Sequence, residues 1–576
     1  MERNTIIAII LTFLIIVLWS IVQSKYFSQK VPKPPFPETK QEEALPKKIE
    51  TQEIKAAKGN LPPSAVKKIP EKEVSIETEN YWAVLTSDGA KLKEFKFKKY
   101  RDRVEESGIT IKLTDLVDRL LGKKVERPKK PQPLNLVNTD EKKGLPLGLL
   151  IDSNPSLSSG NWEVDKDRLE LKSPGEKGEV TFSKTLDNGL KIVKKYSFTS
   201  GKYIIDLNVE IQNRTSKEIS GQVGLEWIGK VELRRYAEEG DKDFGLSYAF
   251  MKENKVEVKN LAGRAASGCT PGCSTKKTAI EPFELIERGV IEWFSFEGEY
   301  FAALMVPSPL QEYVTMTVKG DEKDLLKANL TSSLVPLIPR QTVQIPYRIY
   351  LGPKKVDELK ALGVGAERLV NFGFFGVLAI PILWVLNLTH SVTGDYGIDI
   401  ILLSTLIKII FLPLTQISFK SMKEMQKVQP EMKRLQELYK NDKAKLQQEI
   451  MLLYKRRKIN PLSGCLPMLI QIPVFIALYN VLQNTFEMRH APFFLWIRDL
   501  SAKDPIYITP LVMGATMVIQ QKMTPSSAEP AQAKMMMLMP ILFTFLFLNF
   551  PSGLVLYWLV NNVLSIAHQY YLNKRL

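Results

Sequence analysis

The stretch that most constrains this chain is residues 397–418, GIDIILLSTLIKIIFLPLTQIS, an apolar run that carries Lys408. At 1.5 Å per residue a helix of this length covers about 33 Å, enough to cross the hydrocarbon core of a bilayer, and Lys408 falls near the midplane. A lysine side chain snorkels about 6 Å, whereas the nearer helix end is about 15 Å away, so the ammonium does not reach the headgroups by itself. An unpaired ammonium at that depth costs roughly 2.5–3.5 kcal/mol on insertion scales. Such a span needs a wet cavity, a carboxylate partner or an acid on a substrate. No other candidate span holds an Asp or Glu. The lysine therefore marks either a functional polar cavity or a water defect around a lone charge.

With 576 residues and a mean hydropathy of −0.10, the chain is too polar to be membrane throughout and too locally apolar to be soluble throughout. It is a mosaic. Its net charge of +16 is spread over linkers and loops with no recognisable nucleic-acid motif. An anionic membrane surface or the ribosome is therefore the expected acidic neighbour, with no specific nucleic-acid sequence. Cys269 and Cys273 stand in CTPGC and Cys465 in an apolar region. Neither zinc spacing nor a CxxC motif is present, so no metal or other cofactor is expected, and a local Cys269–Cys273 disulfide stays open either way.

Residues 1–27 hold an apolar run from 5 to 22 followed by no small-x-small cleavage site, which reads as an uncleaved anchor. Residues 28–75, rich in Pro, Lys and Glu, read as an extended tether. Residues 76–354 switch to short alternating strands. The strongest hairpin signal is VTFSKTLDNGLKIVKKYSF, where Asn188-Gly189 supplies the positive φ that a tight primed turn requires. This is one all-β sandwich or supersandwich, without histidine and without a spaced acid pair or triad, which favours scaffolding or docking over catalysis.

Residues 355–396 turn helical and end in LVNFGFFGVLAIPILWVLNLTH, only six residues before the span at 397. If both segments crossed, the loop 419–463, with twelve basic and five acidic side chains, would lie outside. The positive-inside rule puts that loop in the cytoplasm. The segment ending at His390 is therefore expected to lie flat in the outer interface, with the β domain outside and both termini inside. Within the loop, Met422, Met425, Met432 and Leu435, then Leu446, Ile450 and Leu453, recur at helical spacing about a turn at Asn441-Asp442. That predicts a helical hairpin, kinked at Pro430, whose methionines can meet varied apolar partners.

Further spans are expected at 464–483, 506–522, 534–550 and 551–571, joined by an amphipathic exterior loop at 484–505 and a short cytoplasmic loop at 523–533, with a tail at 572–576. Ser404, Gln471, Gln520, Thr544, Asn561 and Asn562 recur at membrane depth. Interhelical hydrogen bonds explain many such residues singly; together with Lys408 they read as the lining of one wet groove.

The runs NPLSGCLPMLIQIPVFIALYNVL, APFFLWIRDLSAKDP and FPSGLVLYWLVNN, in that order, resemble the YidC/Oxa/Alb family of membrane protein insertases over residues 355–571. The anchor, tether and β domain resemble its Gram-negative type, with TFSKTLDNGL and EYFAALMVP the best pieces. The resemblance implies a multi-span α-helical inner-membrane protein of six spans with a periplasmic β-supersandwich domain. Its five-helix core would enclose a hydrophilic groove open to cytoplasm and lipid and closed to the periplasm. It implies a non-enzymatic insertase and chaperone for nascent membrane proteins, acting alone or with the Sec translocon. Family members usually carry arginine in the groove; Lys408 at the matching position keeps the charge and loses the bidentate fork. Ser404, and Trp558 beside Tyr557, match positions where the family contacts the nascent span. The short end NKRL lacks the basic tail by which some relatives hold ribosomes, which leaves more of that work to the hairpin. The competing classes are an anion transporter built on Lys408, disfavoured by the absence of an internal repeat in the spans, and a purely structural envelope protein.

Overall fold

The computed structural model describes residues 70–105, 108–120, 130–152, 155–187, 189–233, 243–261, 280–307, 314–321, 324–457, 466–524 and 530–575. The expected anchor, most of the tether and the three cysteines lie outside them. The chain separates into two compact units, Met1–Lys67 with Ala528–Leu538, and Lys68–Ser527 with Met539–Leu576. The first is described only over 530–538, as part of one helix, and all the sheets belong to the second.

Alternation of apolar and polar residues builds the first half of the chain into three sheets. The largest has nine strands in the order Lys255–Asn260, Ser247–Lys252, Ile291–Glu297, Phe301–Pro307, Thr342–Pro353, Ile204–Asn213, Leu190–Thr199, Lys177–Thr185 and Glu163–Val164. Two five-stranded sheets accompany it, one centred on Tyr81–Thr86 between Lys91–Arg101 and Glu73–Glu77, the other on Leu325–Leu337 between Val314–Gly320 and Ile219–Lys230. The hairpin read at Asn188-Gly189 is present: Lys177–Thr185 pairs antiparallel with Leu190–Thr199, and Gly189 takes φ +83°. The tether was expected to run to residue 75, but the first strand begins at Glu73 because Val74 and Ile76 already alternate into the core.

Leu190, Ile192, Tyr196 and Phe198 point inward from one strand, and the fifth inward position is Lys194, fully buried. Its Nζ donates to the carbonyls of Ala90 and Leu147, each at 2.6 Å, and Tyr196 Oη donates to the same Ala90 carbonyl at 2.7 Å. Burial holds the amine well below its usual value. A neutral amine still has two N–H bonds, one for each carbonyl. Between its lowered folded value and the unfolded value of about 10.4, the unfolded chain binds a proton that the folded chain does not, and stability rises with pH across that window at up to roughly 1.4 kcal/mol per unit. Lys194→Met is expected to flatten this slope on the approach to about pH 10, and to destabilise the domain by about 1–3 kcal/mol through the orphaned Leu147 carbonyl, while Ala90 keeps Tyr196. Denaturant unfolding of the detergent-solubilised chain at each pH measures both.

Helix α1 (Gly108–Leu120) lies between strands, and α2 (Val356–Lys360) follows the last of them. The second half is helical: α3 (Gly376–Thr393), α4 (Tyr396–Ile410), α5 (Leu412–Lys427), α6 (Gln429–Leu438), α7 (Lys443–Arg456), α8 (Leu466–Asn484), α9 (Ile508–Met523), α10 (Pro530–Phe547) and α11 (Ser552–Arg575). Helix α11 packs along α9 and α4, while α3 packs on α4 and α8. The buried apolar cluster runs unbroken from the sheets through Phe301 and Phe486 into these helices.

Two expectations are corrected here. The span read as one helix over 397–418 is broken at Phe411, where α4 and α5 meet at a 60° bend. Pro413 lacks an N–H and its ring clashes with the carbonyl four residues back, so the helix restarts instead of continuing. Lys408 consequently stands in the last turn of α4. The boundary drawn between span and loop at 418/419 falls inside α5. Among the described residues, α3 is the one continuous helix long and apolar enough to cross a membrane by length and composition. It buries only Ala379, Ile382 and Leu386 and exposes Val377, Ile380, Trp384 and Leu388.

Candidate functional site

Polar residues on α11 recur at three- and four-residue spacing, which puts Asn561, Asn562, Ser565 and Gln569 on one stripe. Opposite this stripe, Lys408 Nζ donates to Ser565 Oγ at 2.5 Å, and Ser565 Oγ donates to the Asn561 carbonyl at 2.7 Å. Asn562 Nδ2 donates to Thr516 Oγ1 on α9 at 3.2 Å. Gln569 Nε2 reaches Thr524 Oγ1, just past α9, at 3.3 Å, and Thr524 Oγ1 donates to the Gln520 carbonyl at 2.8 Å. The result is a polar seam between α4, α11 and α9 inside an apolar bundle. Lys408 is half-buried and meets no carboxylate among the described residues. An ammonium has three N–H bonds. Ser565 accepts one of them.

The expected groove residues divide. Gln471, Gln520 and Trp558 are half-buried, Trp558 lying edge-on to Phe475 at 5.2 Å and 5.3 Å from Phe547. Ser404 and Tyr557 are fully buried, and Ser404 Oγ donates back to the Ile400 carbonyl at 2.6 Å. Asn561 and Asn562 are also buried within the bundle. Thr544 Oγ1 donates to the Pro540 carbonyl at 2.7 Å and rests against Gly514, where a Cβ would come within 2.0 Å of it. It serves the close approach of α10 and α9. Ser565, Thr516, Thr524 and Gln569 escaped the sequence reading; their spacing along α11 and α9 was the available signal.

A further missed residue is Asp399, inside the very span that holds Lys408. It is fully buried, with His390 Nδ1 at 2.9 Å and Thr393 Oγ1 donating at 2.7 Å. The Tyr396 ring stacks on His390 at 3.6 Å. Nine residues, about 13 Å of helix, separate this carboxylate from Lys408, so the two do not neutralise each other directly.

The segment after α8, expected as an amphipathic exterior loop, packs into the protein. Met488, Ala491, Ile497 and Leu500 are buried, and Leu500 and Ala502 accept backbone hydrogen bonds from Gly553 and Ser552 at the start of α11. Apolar residues that alternate irregularly with charge can still pack when strands of another domain cover them. Arg489 forks onto both carboxylate oxygens of Asp243 in the β region, donates to the Arg101 carbonyl at 2.6 Å and lies 5.1 Å over the Phe301 ring. Burial and the neighbouring Arg489 charge push His490 down to about 3. This segment closes one end of the bundle. Gly397 at the start of α4 touches it, since a Cβ there would sit 2.0 Å from Phe493 Cδ2 and 2.8 Å from its Cβ. Gly397→Ala is expected to push Phe493 out and cost about 1–3 kcal/mol, read as a lower midpoint of thermal unfolding.

In the helical hairpin, Met432 is buried and accepts a hydrogen bond from Tyr454 Oη at 3.0 Å, while Met422 and Met425 are half-buried. The open apolar hollow of the hairpin, about 350 Å³, is instead lined by Leu435, Leu438 and Leu453 within a rim of Glu431, Arg434, Glu449 and Arg456.

Residues 388–576 match the family model described as 60Kd inner membrane protein, and residues 114–385 match that of the YidC periplasmic domain. The chain is 40% identical over 508 residues to the membrane protein insertase YidC of Syntrophus aciditrophicus (strain SB), a match covering 88% of this chain and 85% of that relative. The chain belongs to the YidC membrane protein insertase family. The YidC of Geotalea daltonii is 36% identical over 583 residues, with both chains covered completely. A crystal structure of an active YidC insertase with its first transmembrane domain resolved is 18% identical and covers 87% of this chain and 93% of that one. Its TM-score of 0.35 is too low to carry an argument about arrangement. As a member of the YidC family this is an inner-membrane protein, its β region corresponds to the periplasmic domain, and its helices hold the match to the 60Kd inner membrane protein.

Proposed function

We propose that the chain inserts nascent membrane proteins through the polar seam between α4, α9 and α11, with Lys408 as the attracting charge. The observation that carries this reading is an ammonium inside an apolar bundle whose partner is a neutral hydroxyl, Ser565, at 2.5 Å. A neutral partner leaves the charge uncompensated, so an acidic residue of a guest chain gains by approaching it. The guest's polar amino-terminal region enters past Gln471 and Gln520 and is held transiently at Lys408, while its apolar segment slides along Trp558 into lipid. Partitioning of that apolar segment, aided by the membrane potential, drives the step. No nucleotide, metal or covalent intermediate takes part.

In this reading the membrane carries six spans, the first within residues 1–27, with α3 at the periplasmic interface, both termini in the cytoplasm and the α5–α7 region beneath the bundle. The basic hairpin and its leucine-lined hollow face the ribosome, and the protein acts alone or with the Sec translocon. The segment at 484–505 closes the periplasmic end of the seam.

The test is protease protection of a short single-span substrate with an acidic amino-terminal tail, added to liposomes containing only the purified protein. Protection of the tail above that in empty liposomes is expected. Protection no greater than in empty liposomes, with the protein folded, would show that the chain does not insert alone, and uptake of small anions by the same vesicles would move the assignment to transport.

A further inference from the structure

Between the strands Lys91–Arg101 and Pro133–Asn135, Asp102 and Gln132 are tied together. Asp102 N donates to the Gln132 carbonyl at 2.9 Å, and Gln132 N donates to Asp102 Oδ1 at 2.8 Å. The end of Lys91–Arg101 stands against the helical region. The Arg101 carbonyl accepts from Arg489, and the Tyr100 ring meets Phe486 at 5.0 Å. Phe486 and Arg489 directly follow α8, at the end of the bundle where it joins the β region. Helix α1 begins seven residues after Arg101, within about 24 Å of chain from that junction.

The helix is two-sided. Helical spacing places Leu113, Leu116 and Val117 on an arc of about 100°, with Lys112 and Arg119 along one flank of it and Asp115 beyond them. Thr110, buried, marks the side on which α1 rests on the protein, and Leu116, about a third of a turn away, is 54% exposed. Lys112 and Arg119 are exposed as well. The ten residues after the helix, LGKKVERPKK, add five basic side chains and one acid to the sequence. An apolar stripe flanked by cations, on a short leash at the membrane end of a domain, has the chemistry of a helix that lies in a lipid headgroup layer.

We infer that α1 is a membrane-surface helix: it docks through Leu116, with Leu113 beside it and with Lys112 and Arg119, on the anionic outer leaflet of the membrane that holds the bundle. This rests on the proposed topology, in which the junction of bundle and β region is the periplasmic surface. Docking would hold the β domain close to the bilayer beside the exit from the seam.

The experiment uses the full chain, with its three cysteines replaced by serine, in liposomes with or without anionic lipid. An environment-sensitive fluorophore is attached at Leu116→Cys, or in a parallel sample at Leu388→Cys on the exposed side of α3, and headgroup-proximal doxyl lipids serve as quencher. About a twofold loss of emission at position 116 in anionic liposomes is expected, with much less in neutral ones or after Lys112→Glu with Arg119→Glu. Quenching at 388 without quenching at 116 would overturn the inference while leaving the membrane assignment of the bundle standing. Equal quenching at 116 in all liposomes would remove the anionic recognition. No quenching at either position would overturn the topology together with the inference.

Discussion

Asp243→Ala is expected to cost about 3–5 kcal/mol and to loosen the β domain from the helical core. Asp243 and Arg489 are both nearly buried, at 5% and 9% exposure, so water cannot take the place of the missing partner. The guanidinium would be left with the Arg101 carbonyl and the Phe301 ring, which together do not balance a full charge. The attraction of the intact pair itself offsets little more than its desolvation, so the loss measures the orphaned charge and not the bond. A double-mutant cycle separates the two. Arg489→Met with Asp243→Leu is expected to recover most of the stability lost by Asp243→Ala alone. Because Arg489 also orders the segment that caps α11 through Ser552 and Gly553, the single variant should raise protease sensitivity near residues 486–500 as well as lower the unfolding midpoint. Unchanged stability in Asp243→Ala would show that the two regions are held together by the aromatic cluster of Tyr100, Phe301 and Phe486 without help from the ion pair.

Lys408→Glu is expected to slow insertion of an acid-tailed substrate by roughly one to two orders of magnitude, because like charges about 5 Å apart at an effective dielectric near 20 repel by about 3 kcal/mol, part of which water and salt screen. Lys408→Arg should stay within about threefold of the parent, since attraction needs charge and not the planar fork. Lys408→Met should fall between them. The same series on a substrate with a neutral tail should spread far less. Insertion assays on both substrates, at low and high salt, read these outcomes. Equal rates in all four proteins would remove Lys408 from the mechanism.

Much of the architecture was legible because it depends on short-range patterning. Alternation over Leu190–Thr199 and the turn at Gly189 predicted a hairpin that the structure contains. Apolar runs predicted α8, α9, α10 and α11 to within a few residues, since each is a self-contained helix whose ends are marked by polar residues. The site was less legible. Lys408 stands out in any reading of its span, but Ser565 lies 157 residues away, and no local rule pairs them. Asp399 was passed over although it shares the span, because its partners, His390 and Thr393, come from the preceding helix and its capping turn.

The sequence alone determined which segments are apolar helices, which are alternating strands, and that one helix bears an ammonium, because hydrophobic periodicity and backbone propensity act within a few residues. Tertiary structure decided the rest. Only the packing of α11 against α4 and α9 showed that Ser404 and Tyr557 are buried while Lys408 keeps a neutral partner. Only the fold of the β region turned Arg489, an ordinary basic residue in a loop, into a buried tie to Asp243, 246 residues earlier. Desolvation and pairing depend on what the whole chain brings within a few ångströms, and that is not written in the spacing of neighbouring residues.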